Sequence, residues 1–170
     1  GRHQVDDILC AGDLVGYGPQ PNEVLYYWRQ QQIITVKGNH DIPSADINEQ
    51  NAAYLRELPF DYDTQYGDKK VYMCHGIPQA NMMGFTHRML SYETILNTVT
   101  GLEVDYIFAG HTHQIFCECV EDTWICNLGS LFARSDTGTT HTYGILDIGH
   151  SMFTIHDALT HSIVDTFEQS

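Results

Sequence analysis

The hydrophobic pattern changes partway along the chain. In the first half, short apolar runs alternate with segments whose apolar residues recur at helical spacing. We predict that helices begin at Pro21, at Asp46 or Asn48, and at Ser91, because proline and small polar residues favour helix starts. From Gln114 onward, short strand-like runs follow one another almost without interruption. The pattern therefore predicts alternating β-α units followed by a strand-rich half.

These elements favour an α/β fold. The predicted strands cover residues 7–11, 33–37, 60–65, 69–74, 104–109, 115–120, 123–127, 142–148, 152–158 and 162–167, and the predicted helices cover residues 21–32, 46–58 and 91–100. Such an order favours two sheets that pack face to face with helices outside. A chain of 170 residues has room for one domain with a hydrophobic core, so we assign residues 1–170 to a single domain.

Four polar stretches that contain glycine each follow an apolar, strand-like run. They are Gly12-Asp13, Gly38-Asn39-His40-Asp41, His75-Gly76 and Gly110-His111-Thr112-His113. Side chains that follow the carboxyl ends of parallel strands converge on one crevice, and glycine allows the sharp turns needed there. We therefore predict that these strands belong to one mainly parallel sheet. The side chains expected to meet are Asp13, Asn39, His40, Asp41, His75, His111 and His113.

The amino-acid composition restricts the classes of partner that the protein is expected to bind. A formal net charge of −14, from 22 acidic and 8 basic side chains, opposes coating of a nucleic acid. Divalent cations would reverse the sign of the charge locally, so a small phosphorylated substrate stays open. No apolar run approaches the ~18 residues of a membrane span, and the first residues lack the apolar segment of a signal peptide. We expect a cytoplasmic protein without a membrane partner, and we leave a homo-oligomer open.

Five cysteines lie scattered on apolar runs without CxxC spacing. We expect reduced core thiols, with one alternative. A hairpin that turns near Glu121-Asp122 would place Cys117 opposite Cys126, close enough for a disulfide.

The remaining histidines lack a glycine-framed loop after a strand. They are His3, His87, His141, His150, His156 and His161. We expect each to be structural or exposed. His87 is the one that could join the site, because it lies in the long loop 75–88.

The predicted site offers oxygen and nitrogen ligands but no thiolate, which suits Mn, Fe, Zn and similar divalent ions such as Ni or Co. One aspartate can bridge two ions, and a hydroxide held between ions about 3.5–4 Å apart is a strong nucleophile towards phosphorus. We assign the bridge to Asp13. His40 would stay off the metal and protonate the leaving oxygen or hold the phosphoryl group, with Asp41 fixing its tautomer.

The same motifs resemble those of the calcineurin-like metallophosphoesterases. The stretch Gly12-Asp13-Leu14-Val15-Gly16-Tyr17-Gly18-Pro19 and the three other glycine loops occur in the family's order. Pro21-Asn22-Glu23 and Asn127-Leu128-Gly129-Ser130 make the chain most similar to the small prokaryotic YfcE-like phosphodiesterase branch. The resemblance implies a four-layer α/β/β/α sandwich. It also implies two divalent ions that hydrolyse phosphodiesters or phosphomonoesters, nucleotides included.

The resemblance also assigns roles. Carried over by motif, Asp13 bridges the ions, Asn39, His75 and His111 complete one metal seat, His113 belongs to the other, and His40 is the catalytic histidine. The family opens with a strand that ends in an Asp-x-His pair upstream of the Gly12-Asp13 motif, and this chain has no such pair there. We therefore expect that the first strand and helix of the fold are missing and that the second seat lacks those ligands.

Two functions compete at this point. The first is a metal-dependent phosphoesterase. The second is a non-catalytic scaffold of the same fold that binds protein partners, as the retromer subunit of this fold does. Scaffold members typically lose the histidine that acts on the phosphoryl group, so His40 favours the enzyme.

Overall fold

The computed structural model describes residues 4–80, 84, 90–132 and 141–168. Its helices are α1 (Pro21–Gln31), α2 (Glu49–Glu57) and α3 (Tyr92–Thr100). Its strands are β1 (Leu9–Cys10), β2 (Ile34–Thr35), β3 (Asp61–Tyr66), β4 (Lys69–Cys74), β5 (Tyr106–Ala109), β6 (Ile115–Val120), β7 (Thr123–Leu128), β8 (Thr142–Asp147), β9 (Met152–Asp157) and β10 (Ile163–Glu168). The predicted α/β class is confirmed. No helix in these ranges is long and apolar enough to cross a membrane.

The helices begin where the sequence predicts. Pro21 occupies the first turn of α1, where its missing N–H costs nothing. The α2 helix is capped by Asn48, whose Oδ1 accepts from the backbone N–H of Asn51 at 3.0 Å. Ser91 caps α3 in the same way through the N–H of Thr94. Asn48, and not the alternative Asp46, is therefore the start of α2.

The described strands form three sheets. One has the order β3-β4-β5-β7-β6, in which β4, β5 and β7 are parallel neighbours. A second is antiparallel, with the order β10-β9-β8. The third is the parallel pair β1 and β2. The four glycine loops thus follow parallel strands, but these strands belong to two sheets and not to the one sheet that we predicted.

Side chains of the five-stranded sheet alternate between two cores. Val71 and Met73 of β4 share a cluster with Phe153 and Ile155 of β9, and Val36 joins them from the chain just after β2. Tyr72 and Cys74, on the other face of β4, share a cluster with Ile95 and Val99 of α3. A third cluster joins α1 and α2 through Leu25, Ala52 and Leu55. These contacts place β4 between β9 and α3. The four-layer order itself stays a prediction.

The β6 and β7 hairpin brings two cysteines together. Cys117 lies directly opposite Cys126 in the strand register, and the two Sγ atoms are 2.7 Å apart. The turn falls between Val120 and Thr123, as the sequence predicts. Both thiols are free in this structure. Burial raises the pKa of the Cys126 thiol, with the neighbouring Cys117 adding to the effect.

Candidate active site

Asn39 lies at the centre of a polar cluster. Its Oδ1 atom is 2.9 Å from His75 Nε2 and 2.9 Å from His111 Nδ1. The same Nε2 atom of His75 is 3.4 Å from Asp13 Oδ2. The two imidazole rings meet edge to face, with centroids 5.3 Å apart. Four of the predicted ligands, one from each glycine loop, are therefore brought together.

The hydrogen bonding of His75 tests whether a cation fits this cluster. His75 is buried, and its Nδ1 is 2.7 Å from the carbonyl oxygen of Ala11. A carbonyl oxygen only accepts, so Nδ1 carries a proton and donates it. In a neutral imidazole the lone pair is then on Nε2, which faces the acceptor oxygens of Asn39 and Asp13. Acceptors that face one another are stabilised by positive charge among them, and a bound metal ion would supply it.

The donor set fits a divalent metal ion. Imidazole nitrogen, carboxylate oxygen and amide oxygen are all suitable ligands, and a backbone carbonyl that orients a ligating histidine is a common feature of metal sites. In the part of the chain that the structure describes, no group of three or more His, Cys, Asp or Glu side chains has a metal-binding arrangement. Metal binding by this cluster would therefore need the amide oxygen of Asn39 as a further donor.

The backbone around these ligands is strained. Asp13, His111 and His113 have φ angles of 59°, 67° and 56°. Residues other than glycine seldom adopt this left-handed region, and such strain is concentrated at functional sites. The sequence does not predict these left-handed conformations. Each of the three residues follows glycine or threonine in a loop whose turn type the sequence does not specify.

Asp41 joins two loops and does not contact the ring of His40. Its Oδ2 accepts from the backbone N–H groups of Gly38 at 2.8 Å and Asp13 at 2.9 Å, and its Oδ1 accepts from Leu14 at 2.8 Å. The side chain is fully buried, and burial raises the pKa of its carboxyl group. Among the described residues, the expected contact between Asp41 and the His40 ring is not formed, because both carboxylate oxygens are turned towards backbone amides. The tautomer role of Asp41 stays a prediction that none of these hydrogen bonds supports.

Tyr17 is the residue that contacts His40. Its hydroxyl lies 2.8 Å from His40 Nε2, and the ring centroids are 4.7 Å apart. The backbone N–H of His40 donates to Asp13 Oδ1 at 2.9 Å, which ties this histidine to the metal cluster. Sequence reasoning missed Tyr17 because the glycines on either side suggest only a tight turn. An aromatic residue inside a glycine loop after a strand is the signal that could have identified it.

His113 is buried and lies beside Tyr17, with ring centroids 5.4 Å apart. Its assignment to a second metal seat stays a prediction.

Two glycines are required by the close approach of the loops. A Cβ atom at Gly38 would overlap the carboxylate and the amide of Asp13. Gly12 has a φ of 89°, and a Cβ there would lie 2.5 Å from the backbone nitrogen of Gly38. Glycine is the residue that permits both the backbone conformation and the contact.

Asn127 holds the loop that carries His111 and His113. This buried side chain donates from Nδ2 to the carbonyl of Gly110 and to Thr112 Oγ1. Gly110 in turn donates its N–H to the carbonyl of His75 at 2.8 Å. The sequence places Asn127 in a family motif but does not reveal this supporting contact.

The other described histidines have contacts on the strand-rich half. His150 bonds Asp147, and His156 bonds Thr154. His141 and His161 bond Leu131 and Tyr143 respectively. His3 and His87 lie outside the described residues.

Comparisons with known proteins identify the family and the fold. The family model of the calcineurin-like phosphoesterase superfamily domain matches residues 1–151. Among curated proteins, the uncharacterized protein MJ0912 of Methanocaldococcus jannaschii is 27% identical over 154 residues, a match that covers 78% of this chain and 61% of the relative. The chain thus spans less than two thirds of that relative's length.

Two solved structures illustrate the shared fold. The phosphoesterase YfcE from E. coli has a TM-score of 0.63 at 18% identity, and the match covers 96% of this chain and 84% of YfcE. A single mutant of Vps29 from Entamoeba histolytica has a TM-score of 0.62 at 19% identity, covering 99% and 84%. At this level of identity the likeness concerns the fold.

Proposed function

Because the chain belongs to the calcineurin-like phosphoesterase superfamily, we propose that it is a metal-dependent phosphoesterase. Its substrates are phosphodiesters or phosphomonoesters, nucleotides included. The observation that carries the proposal is the meeting of Asp13, Asn39, His75 and His111, where acceptor atoms face one another around His75 Nε2.

Asp13, Asn39, His75 and His111 would hold one divalent ion, and Asp13 with His113 would contribute to a second. Mn, Fe, Zn, Ni and Co all suit these donors. When bound, such ions stabilise charge on phosphoryl oxygens and activate water for attack. A fixed imidazole serves this purpose, and the Ala11 carbonyl holds the ring of His75 with Nε2 towards the cluster.

His40 supplies the proton chemistry in this proposal. Its backbone N–H donates to the carboxylate of Asp13, and its ring is held by the Tyr17 hydroxyl. The backbone bond places His40 beside a residue of the ligand cluster, and we assign to its imidazole the protonation of the leaving oxygen or a contact with the phosphoryl group. Asp41 acts indirectly, by keeping the loop of Asp13 against the loop of His40.

Charge supports a metal requirement. The chain carries a formal charge of −14, and two of its basic side chains form ion pairs on other surfaces, Arg56 with Glu49 and Lys69 with Asp105. A phosphoester is itself an anion, so divalent ions are the natural means of attracting it to an acidic protein.

The test is hydrolysis of bis(4-nitrophenyl) phosphate by purified protein with and without added Mn²⁺, alongside metal content by mass spectrometry. The Asn39→Ala protein, purified identically, controls for contaminating phosphatases. Metal-dependent turnover that Asn39→Ala lacks would support the proposal. Equal turnover in both proteins would overturn it.

A scaffold function is the second candidate, because the fold likeness to Vps29 is as strong as the likeness to YfcE. Metal binding without turnover of any phosphoester would favour the scaffold.

A further inference from the structure

Two aromatic side chains lie next to the proposed catalytic histidine. Tyr17 and Phe132 stack with ring centroids 5.8 Å apart and an interplanar angle of 24°. Ring-to-ring steps of 4.7 Å and 5.8 Å lead from His40 through Tyr17 to Phe132. We call Tyr17 and Phe132 the aromatic wall. It begins at the group proposed to act on the ester and continues outward.

The position of Phe132 is built into the fold. Its backbone N–H donates to Ser130 Oγ at 3.1 Å, a local bond that fixes a turn. The carbonyl of Ser130 accepts from Thr142 N–H at 2.8 Å, which attaches that turn to the start of β8. Phe132 is therefore placed by a hydrogen-bonded turn that follows β7.

Phe132 also remains open to solvent. The residue is 43% exposed although its ring lies against Tyr17. Exposing a phenyl ring forgoes the free energy of its burial, and an aromatic face beside a polar site is a platform for another planar group. Planar groups of every chemical type stack on such a face without specific hydrogen bonds.

We propose that the aromatic wall is a stacking subsite for a planar group carried by the phosphoester. The enzyme would then prefer a phosphoester whose retained group is a nucleoside to one whose retained group is a small alkyl. This inference rests on the proposed phosphoesterase function of the same site. It adds a substrate class that the metal cluster alone does not specify.

The kinetic test compares two substrates with the same leaving group. Thymidine 5′-(4-nitrophenyl phosphate) and methyl 4-nitrophenyl phosphate both release 4-nitrophenolate and are both alkyl esters at the other position, so they differ mainly in the nucleoside. We expect Phe132→Ala to lower the ratio of their kcat/KM values by about three- to tenfold, the range of an aromatic pair. Phe132→Tyr keeps the ring and should keep the ratio.

The matched control is Tyr26→Ala, which removes an aromatic ring that is 60% exposed on α1. It should leave the ratio at the wild-type value. A ratio that does not change in Phe132→Ala, or that changes equally in Tyr26→Ala, would overturn the stacking subsite.

A binding measurement separates this inference from the proposed function. Calorimetry in Mn²⁺ buffer compares methylphosphonate with the phosphonate analogue of thymidine 5′-monophosphate, in which a methylene group replaces the cleavable ester oxygen. We expect severalfold tighter binding of the nucleoside analogue, lost in Phe132→Ala. If this preference appears in a protein that hydrolyses nothing, the subsite stands and the phosphoesterase fails. Turnover without any preference for the nucleoside would support the phosphoesterase and overturn the stacking subsite.

Discussion

The four loops of the site are held in two different ways. The first loop pair, residues 12–19 and 38–41, follows strands of only two residues and is joined by the buried carboxylate of Asp41. The second loop pair, residues 75–76 and 110–113, follows the longer strands β4 and β5 and is joined by the backbone hydrogen bond from Gly110 to His75, while Asn127 holds the second of these loops. The first pair is thus held together by one carboxylate, whereas the second pair is held by the hydrogen bonds of neighbouring strands.

The two loop pairs also differ in how closely their backbones approach each other. The first pair carries Asp13, Asn39 and His40, and its loops touch so closely that Gly38 has no room for a side chain. The second pair carries histidines whose main chain is fixed by the five-stranded sheet. We therefore expect added side-chain volume to be tolerated less well in the first pair.

The largest expected effect is that of His40→Ala on turnover. Loss of a general acid typically lowers the rate by about 10²–10⁴-fold. Metal content should remain near the wild-type value, because the ring of His40 contacts Tyr17 and is not one of the donors assigned to the metal. The measurements are kcat with bis(4-nitrophenyl) phosphate and metal content by mass spectrometry. An unchanged rate would remove His40 from the mechanism, and simultaneous loss of metal would make it a ligand.

Asn39→Ala and His75→Ala test whether the two loop pairs share one metal seat. Each removes one donor of the cluster, so each should weaken metal affinity by more than the roughly 10–100-fold seen for partners outside the coordination sphere. Competition with a chromophoric chelator measures this affinity. His150→Ala, which removes an exposed histidine bonded to Asp147, is the control. Wild-type affinity in either cluster variant would contradict the shared seat.

Much of this arrangement was predictable, because each glycine loop follows an apolar run and neighbouring parallel strands end on the same side. Asp41 shows where such reasoning fails. Its place next to His40 in the sequence suggests a partnership, but its carboxylate bonds Asp13 and Leu14, more than 25 residues away. That contact arises only from the tertiary approach of Gly12 to Gly38, which no local pattern encodes.

The strand lengths have a similar explanation. The apolar run Ile33–Val36 predicts a longer strand than the two residues of β2. Val36 still donates its N–H to the carbonyl of Cys10, but the N–H of Lys37 donates to Pro59 instead of to a strand partner. Tertiary contacts end the ladder before the apolar pattern does.

Gly38→Ala and Gly110→Ala compare the two loop pairs directly. A methyl group at Gly38 overlaps Asp13, so we expect a loss of unfolding free energy of about 1–3 kcal/mol, as for overpacked sites, together with weaker metal binding. At Gly110 the nearest atom to a new Cβ is the Ala11 carbonyl oxygen at 3.2 Å, which allows a smaller loss.

Urea unfolding of both proteins measures the difference, with Gly18→Ala as the control because nothing lies within 4 Å of a Cβ there. Equal losses of unfolding free energy at Gly38 and Gly110 would contradict the expectation that the first loop pair tolerates an added methyl group less well.

The smallest effect that we predict is that of Tyr17→Phe. This change keeps the ring that stacks on Phe132 and removes only the hydroxyl that contacts His40 Nε2. A single hydrogen bond contributes about 0.5–1.5 kcal/mol, so kcat should fall by roughly two- to tenfold. KM and metal content should stay near their wild-type values, because the ring that stacks on Phe132 and the side chains of the ligand cluster are unchanged. In His40→Ala, the same substitution should have no further effect on kcat, since the hydroxyl would have no imidazole to orient. An additive loss in the double variant would show that Tyr17 acts elsewhere than through His40.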